Sequence, residues 1–420
     1  MSDNVVMKDS ANNNIKAPAV LRPRGSNHVG MRQFNERVVL HAIRLHGQVP
    51  KAELARLTGL TAQTIGLITT RLAEDDLLIH HAPVRGKIGQ PSIPLSLNPD
   101  GAYALGVKIG RRSMDLLLVD FTGAVRHRKN LQYDFPKIDD LLPAIASHLA
   151  FITDYLGASA SRLIGIGVAA PFNMGGWHKM LGVSQTTADQ WNEIDLCAQV
   201  QQLTDIPVSF VKDTQAACVA ELVAGRGRDL KSFLYIFVDT FVGGGLVLNS
   251  HLHAGVHGNA GAVASLPIHI ASDDISLTEN IAPAQLVGLA SLWELEQRYI
   301  KANLLAAAAY DERSLAEPYW EHTQAWLNKA ALGLAQSIVS GTAFLDVKTV
   351  VIDSSSSKPL LERLIEQTNL ALTRYNWEGL WLAQIVAGDI GYDAGALGGA
   401  LLPLHENFAP DRDLFLKALD

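Results

Sequence analysis

The apolar residues between positions 31 and 78 recur every three or four residues, which is the spacing of amphipathic helices. The pattern predicts one helix in MRQFNERVVLHAIRLHG, ended by Gly47, and a second, shorter helix in VPKAELARLTGL, ended by Gly59. Thr61 then caps a third helix in TAQTIGLITTRLAEDDLL. The positions that this pattern places in a shared core are Phe34, Val38, Val39, Ala42, Ile43, Leu45, Leu54, Ala55, Leu57, Ile65, Ile68, Leu72 and Leu77.

A strand–turn–strand pattern follows the third helix. Leu78 and Ile79 can begin one strand, VRGKIGQP is a basic turn rich in glycine, and SIPLSLNP can form the return strand. Three helices with a glycine turn before the third, followed by two such strands, are typical of a winged helix-turn-helix. We therefore expect a disordered leader at residues 1–23 and a winged helix-turn-helix domain at residues 24–98.

Beyond residue 100, apolar and β-branched runs alternate with helical patterns, which indicates an α/β fold. The hairpins at residues 104–125 and 233–252 have a similar layout, and the second is predicted to turn at Gly243–Gly245. We expect two related lobes, at residues 99–230 and 231–386, with a cleft between them. A glycine-rich helix in residues 387–420 is expected to return to the first lobe.

The composition limits the class of protein. The chain has 420 residues, of which 48% are hydrophobic, and this is enough for a sizeable core. No apolar run reaches the roughly 18 uncharged residues that a membrane span needs, and the first residues are polar rather than signal-like. Cys197 and Cys218 have no metal-type spacing and indicate no disulfide framework. We therefore expect a cytoplasmic protein with no membrane partner.

Charge is distributed unevenly along the chain. Residues 16–90 carry eleven Lys/Arg and five Asp/Glu, whereas residues 91–420 carry 23 Lys/Arg and 35 Asp/Glu. A basic N-terminal region on an acidic body indicates that this region has a polyanionic partner. Double-stranded DNA fits this pattern, because a helix-turn-helix places its last helix in the major groove.

The predicted DNA contacts come from the third helix, the wing and the arm before the first helix. Hydroxyl and amide side chains in the first turn of the third helix would read base edges, and the basic side chains would contact phosphates or the minor groove. The alternative is a three-helix module that binds another protein and whose charges are solvated. The predicted contact residues are Arg24, Thr61, Gln63, Thr64, Arg71, Arg85, Lys87 and Gln90, with Thr69 expected on the same polar side of the helix.

Taken in order, the motifs of this chain resemble those of the ROK family. After the helix-turn-helix they are GQPSIPLSLNPDG, GVKIG, GIGVAAP, VKDTQAACVAE, GGGLVLN and AGALGGA, and they extend to about residue 404. That family contains repressors and sugar kinases, and the resemblance implies a two-lobed, actin-like ATPase body behind the winged helix-turn-helix. It also implies a transcription regulator, because the kinases of the family lack such a head.

The nucleotide site that the resemblance implies is altered in this sequence. The family's first phosphate loop has an acidic residue followed by glycines, where this chain has KIGRR at residues 108–112. A cation at Lys108 would repel the Mg²⁺ that phosphoryl transfer needs. Thr240 and Gly243–Gly245 match the second phosphate loop, although the glycines can also serve as a tight strand connection. Serines in IDSSSS, residues 352–357, replace the glycines of the adenine loop.

The sugar site that the resemblance implies is kept only in part. Its Asn-Asp pair matches Lys212 and Asp213, whereas Ala262 and Ser265 replace a Glu and a His that hold sugar hydroxyls in the family. Asp213 can also cap the helix that begins at Thr214. The residues expected to contact an effector are Asn173, Lys212, Asp213 and Glu279.

Two further segments have open interpretations. The family's zinc-binding cysteines are missing, and we expect His251, His253 and His257 to lie in a solvated loop rather than to bind a metal. The helix predicted at residues 322–345 has Trp326, Ala330, Leu334 and Ile338 on one stripe, which can pair subunits or pack in the core. We favour core packing.

The sequence thus predicts a DNA-binding transcription regulator, a repressor, whose body senses a carbohydrate in its cleft. We expect an operator in double-stranded DNA as partner, a homodimer or larger homo-oligomer, and no cofactor, metal or enzymatic activity. Two alternatives stay open at this point. One is a DNA-binding dimer that responds to no ligand, and the other is an ATP-dependent sugar kinase with a regulatory head.

Overall fold

The computed structural model describes residues 28–84, 92–172, 174–175, 178, 182–269 and 284–410. The chain begins with the three predicted helices, α1 (His28–His46), α2 (Lys51–Thr58) and α3 (Ala62–Glu74). Gly47 and Gly59 end the first two with left-handed backbone angles, φ 75° and 71°, as predicted for these glycines. The third helix ends four residues earlier than predicted, because Asp76 turns the chain at a φ of 57°.

The two predicted strands of the wing are confirmed. The strands β1 (Val49–Pro50), β2 (Leu78–His80) and β3 (Pro94–Leu97) form an antiparallel sheet in the order β1-β3-β2. A bridge between Val84 and Ser92 extends the β2–β3 pair towards the tip. The tip itself, residues 85–91, lies outside the described residues, as does the arm that carries Arg24.

The first α/β sheet begins with the predicted hairpin. Its strands are β4 (Tyr103–Ile109), β5 (Ser113–Asp120), β6 (Val125–Gln132), β7 (Leu163–Ala170) and β8 (Val208–Lys212), in the order β6-β5-β4-β7-β8. Its helices are α4 (Ile138–Leu156), α5 (Gln185–Asn192) and α6 (Leu196–Gln201), and β8 leads directly into α7 (Asp213–Ala224). Strand β6 was not predicted, because its sequence VRHRKNLQ is that of an exposed edge strand without apolar alternation.

The second sheet repeats the layout of the first, with three antiparallel strands followed by two parallel ones. Its order is β11-β10-β9-β14-β15, and a separate pair of short strands lies beside it. The strands are β9 (Phe233–Val238), β10 (Gly243–Leu248), β11 (His251–Leu252), the pair β12 (Pro267–Ile268) and β13 (Ala284–Gln285), then β14 (Thr349–Ser354) and β15 (Gln384–Ala387). The helices are α8 (Val287–Ala290), α9 (Leu292–Lys301), α10 (Trp320–Leu345), α11 (Lys358–Leu372) and α12 (Ala394–Phe408).

The expected turn at Gly243–Gly245 is wrong, because these glycines are the first residues of β10. They let the strand lie directly on α7. A Cβ atom on Gly243 would come within 2.5 Å of the Thr214 side chain, and one on Gly245 within 2.7 Å of Cβ of Cys218. Their role in this structure is therefore close packing of the second sheet against α7.

Helices α7 and α12 pack tightly against each other beside the first sheet. A Cβ atom on Gly398 would lie 1.6 Å from the carbonyl oxygen of Ala216, and one on Gly167 would lie 1.9 Å from that of Gly399. The apolar side chains of α7 and α12 join those of the N-terminal helices in one continuous core cluster. Helix α12 is the predicted glycine-rich C-terminal helix.

Two long apolar helices lie at the outer faces of the sheets. In α10 the stripe of Trp326, Ala330, Leu334 and Ile338 is fully buried, so the predicted core packing of this stripe is confirmed.

Within the described residues, one segment, Ile138–Arg162, has the length and composition of a membrane-crossing helix. Length and composition do not distinguish it from a core helix, and its Leu141, Ile145 and Ile152 pack in the core of the first sheet.

Candidate nucleic-acid interface and body cavity

The N-terminus of α3 presents a polar, capped first turn. As predicted, Thr61 is the N-cap, and its Oγ1 accepts a hydrogen bond of 3.2 Å from the backbone N–H of Thr64. The two threonine hydroxyls are also 2.9 Å apart, so they hold each other in place. Gln63 lies between them with its side chain exposed. This turn combines a fixed backbone with one amide side chain that is open to a partner.

Arg71 and Thr69 lie further along α3, and they differ in how much of their side chains is exposed. The guanidinium of Arg71 is 2.5 Å from Oε1 of Glu36 on α1, although its side chain keeps 41% of its exposure. The expectation that Thr69 is exposed is wrong. Thr69 is fully buried and donates to the carbonyl oxygen of Ile65, because it lies four residues after Ile65 on the same helix face.

Two residues that the sequence pattern did not single out share the exposed face with Gln63. Leu67 keeps 63% of its surface exposed, and Thr70 is exposed as well. Both lie at helical spacing from Gln63, four and seven residues later. An exposed leucine on this face can contact a thymine methyl group. Counting the spacing from Gln63 instead of grouping all polar residues would have found both.

A cavity of about 590 Å³ opens between the two sheets. Its walls come from the turn between β4 and β5, the start of α7, the turn between β9 and β10, helix α9 and residues 306–310. Among the lining residues are three cations, Lys108, Arg111 and Arg112, and four carboxylates, Asp134, Asp213, Asp239 and Glu296. The charged side chains of the lining nearly balance.

Lys108 forms an ion pair across this cavity. Its ammonium group is 3.3 Å from Oδ2 of Asp239, and its side chain is 8% exposed. Burial by itself lowers the pKa of Lys108, but the nearby carboxylates, Asp239 foremost, outweigh it and raise the pKa above its ordinary value. For Asp239, burial is likewise outweighed, and Lys108 and the Ser355 hydroxyl lower its pKa. Both groups therefore stay charged at neutral pH.

The two arginines of the same turn also reach the second sheet's side of the cavity. The guanidinium of Arg112 is 2.6 Å from Oε2 of Glu296 on α9, and that of Arg111 lies 4.8 Å from the centre of the Phe241 ring. Burial lowers the pKa of Arg111 to about 10, against the opposing effect of Asp213 and Asp239. The turn at residues 108–112 thus joins the two sides of the cavity.

Two serines of the segment at residues 354–357 are hydrogen-bonded to the end of strand β9 and the residue after it. The hydroxyl of Ser355 donates to Oδ1 of Asp239 over 2.5 Å, and that of Ser354 donates to the carbonyl oxygen of Val238 over 2.7 Å. Asp239 is therefore held on one side by Lys108 and on the other by Ser355.

The predicted effector residues occupy different places. Asp213 lines the cavity as the first residue of α7, and its Oδ1 accepts from the N–H of Thr214 over 2.8 Å. It is not the N-cap, because that position belongs to Lys212. The Lys212 ammonium donates to Asn259 over 2.9 Å and is not among the residues that line the cavity. Asn173 and Glu279 lie outside the described residues.

The side chains of His251, His253 and His257 are exposed, and His251 lies in strand β11 rather than in the expected loop. Within the parts of the chain that the structure describes, no group of three His, Cys, Asp or Glu side chains could hold a metal ion. The ring of His251 contacts the carbonyl oxygen of Asn249 over 2.8 Å. The predicted DNA contacts Arg24, Arg85, Lys87 and Gln90 fall outside the described residues.

Comparison with known proteins gives a consistent family and fold. The sequence pattern described as the ROK family matches residues 104–406. The xylose repressor of Bacillus subtilis (strain 168) is 25% identical over 241 residues, which are 57% of this chain and 61% of that protein. The N-acetylmannosamine kinase of Escherichia coli O7:K1 is 26% identical over 315 residues, which are 72% of this chain and 98% of that protein. The chain thus spans less than two thirds of the length of this repressor.

Solved structures show the same architecture. A ROK family transcriptional regulator, a homolog of the E. coli MLC protein, superposes with a TM-score of 0.64 at 18% identity, over 90% of this chain and 98% of that one. A ROK hexokinase from Thermus thermophilus gives a TM-score of 0.51 at 19% identity, over 71% of this chain and 97% of that one. The predicted fold, a winged helix-turn-helix followed by a two-lobed actin-like body, is confirmed.

Proposed function

Because the chain belongs to the ROK family, we propose that it is a DNA-binding transcriptional repressor whose body responds to a sugar or sugar derivative. The observation that carries this proposal is the three-helix head with its wing, attached to a body in which a lysine takes the place of the phosphate-loop acid. Similar proteins named as xylose repressors, and the MLC-like regulator that covers most of this chain, support it.

The head binds DNA with the first turn of α3 in the major groove. Thr61, Gln63 and Thr64 face base edges there, and Leu67 extends the same surface. Arg71 contacts the backbone next to its partner Glu36. Arg24, Arg85, Lys87 and Gln90 are assigned to phosphates or to the minor groove from the sequence alone. Two heads in a homodimer would read half-sites about 34–36 Å apart, or a multiple of that distance.

The body binds an effector but does not transfer phosphoryl groups. The Lys108 ammonium, 3.3 Å from Asp239, supplies a fixed positive charge where a kinase of this fold places an acid and its Mg²⁺. A second cation beside Lys108 would be repelled. Lys108 and Arg112 form ion pairs across the cavity with Asp239 and Glu296, so their charges hold the lobes together instead of holding a nucleotide.

The cavity is large enough for a monosaccharide, and its wall carries charged side chains that can bind hydroxyl groups. Its volume of about 590 Å³ lies within the range of small-molecule sites, and Asp213 lies in its wall. Carboxylates accept paired hydrogen bonds from sugar hydroxyls, each worth roughly 1.5–3 kcal/mol. We assign Asn173, Lys212, Asp213 and Glu279 to the effector site, and Asp213 is the one of these that lies in the cavity wall in the described part of the chain.

Thermal unfolding with a panel of sugars tests the effector. A ligand that binds only the folded protein raises the melting temperature with its concentration, and Asp213→Asn should weaken that rise. If no sugar of a broad panel shifts the melting temperature, the body is a dimerisation scaffold without a ligand, and the sugar-responsive part of the proposal fails.

A further inference from the structure

We infer that α7 couples the body cavity to the DNA-binding head. In this inference Arg228, four residues after the C-terminal end of α7, is the positioning residue that contacts the head. This inference rests on the proposed function, since it concerns how that function is regulated. Helix α7 has twelve residues, so it spans about 18 Å. Asp213 begins it in the cavity wall, and Leu222 and Val223 near its end line a second, small cavity together with His41, Arg44 and Leu45 of α1.

The end of α7 is tied rigidly to its surroundings. The buried carboxylate of Glu221 accepts three backbone hydrogen bonds, from the N–H groups of Arg226, Asp389 and Ile390 over 2.8, 2.6 and 2.9 Å. Gly225 and Gly388 leave room for this carboxylate, because a Cβ atom on either would come within 3 Å of it. A displacement of α7 therefore carries residues 225–228 with it.

Arg228 passes such a displacement to the head. Its guanidinium donates to the carbonyl oxygens of Arg44 and Leu45, over 3.3 and 3.2 Å, at the C-terminal end of α1. Helix ends leave carbonyl groups without partners inside the helix, and a cation there is favoured by the helix dipole as well. Arg228 thus fixes the end of α1 to the end of α7.

Helix α1 in turn contacts α3, the helix that we place in the major groove. Glu36 of α1 holds the guanidinium of Arg71 on α3 at 2.5 Å, and the cores of α1 and α3 belong to the same cluster. The contacts connect the cavity, α7, Arg228, α1 and α3 in that order. A change in the cavity that shifts α7 is therefore expected to alter how α3 is presented to DNA.

A double-mutant cycle with the full-length protein tests this route without a known effector. Arg112→Gln weakens the cross-cavity pair with Glu296 and serves as the perturbation. We expect it to change the affinity for a selected DNA site by at least about fivefold in the wild-type background. In the background of Arg228→Gln the same substitution should change affinity by less than twofold, because the contact to α1 is lost.

Arg162→Gln is the matched control. Arg162 also joins body and head, through Asp76 at 2.7 Å and the carbonyl oxygen of Asp100 at 2.9 Å, but it does not contact α7. The effect of Arg112→Gln should persist in this background. Circular dichroism establishes that each variant is folded, and Arg228 is exposed, so its replacement leaves the core intact.

The outcomes separate this inference from the proposed function. A wild-type protein that binds no DNA site overturns the proposed function. A protein that binds DNA but shows no effect of Arg112→Gln, or shows the same effect with and without Arg228, overturns the coupling role of α7 and Arg228 and leaves DNA binding standing.

Discussion

At the scale of single residues, most of the chemistry predicted for this chain depends on a few charged side chains. Lys108 is the clearest of them. It is buried, and its partner Asp239 is held in addition by Ser355. A buried charge is tolerated only when it is paired and hydrogen-bonded. The ion pair of Lys108 with Asp239 therefore helps to hold the two lobes together.

Replacement of Lys108 by methionine should destabilise the protein. It leaves Asp239 charged and without its partner in a largely buried place, so we expect the free energy of unfolding to fall by about 3–5 kcal/mol. Urea titration measures this directly, and Lys51→Met, at an exposed position on α2, is the control with no expected effect. A loss of less than about 1 kcal/mol in Lys108→Met, within the range of surface pairs, would show that the ion pair is not structural.

Gln63→Ala should relax the DNA sequence preference. If Gln63 reads a base edge, its loss weakens binding to the preferred site by about 1–3 kcal/mol and leaves binding to random DNA unchanged. Lys87→Ala is the contrast, with uniform weakening and a salt slope reduced by about one. Fluorescence anisotropy at several salt concentrations measures both. Equal losses of Gln63→Ala on preferred and random DNA would remove Gln63 from the recognition surface.

His148 gives the folded protein a pH dependence. Its side chain is 1% exposed on α4 and stacks against His127, and burial, with His127 and Lys129, lowers its pKa to about 4. The unfolded chain binds the proton near pH 6.5, so stability is full above that pH and is lost as the pH falls towards 4. Relative to His148→Phe, the wild type should lose roughly 2–3 kcal/mol of unfolding free energy between pH 7 and pH 4. A difference between the two proteins that does not change with pH would contradict this.

At the scale of secondary-structure elements, the sequence predicted those segments whose apolar pattern is set by one buried face. Helices α1 to α3 are examples. The hairpin of β4 and β5 was predicted from two continuous apolar runs instead, because both strands are buried along almost their whole length. Strand β6 was missed because it is mostly polar and lies at the edge of its sheet. Gly243–Gly245 was placed in a turn because sequence alone cannot distinguish a glycine that bends the chain from one that lets α7 lie against a strand.

In the candidate site, the sequence predicted the residues whose positions depend on local structure, but not the ion pairs that form between the lobes. The position of Asp213 follows from its place at a strand–helix junction, and the cap at Thr61 follows from the residues after it. The pairs of Lys108 with Asp239 and of Arg112 with Glu296 join residues more than 130 positions apart. Such pairs arise only when the lobes are assembled, so no local pattern predicts them. Thr69 was misplaced because a threonine satisfies its hydroxyl on its own helix and can then be buried.

Gly398→Ala should separate two packed helices. Its methyl group would overlap the carbonyl oxygen of Ala216, so α12 must move away from α7, and we expect a loss of about 3 kcal/mol or more. Gly288→Ala is the control, because nothing lies within 4 Å of a Cβ atom at that position. Thermal and urea unfolding measure both. Equal stability of the two variants would mean that α7 and α12 are not in such close contact.

At the scale of the whole molecule, the fold is that of a kinase body with a winged head, and the relatives include both repressors and kinases. Phosphoryl transfer is the activity that distinguishes the kinases from the repressors. With ATP, Mg²⁺ and a panel of hexoses, a coupled assay should show no turnover above background. Turnover that disappears in Asp213→Asn would show that the body is a working kinase despite Lys108.

Selection of binding sites from a random library of DNA duplexes tests the account most directly. The purified full-length protein is equilibrated with the library at near-physiological salt, and the retained duplexes are sequenced. We predict enrichment of a two-fold symmetric site that binds at least about 1,000 times more tightly than random DNA. No enriched sequence, and no binding to duplex DNA at low salt with or without sugars, would contradict it.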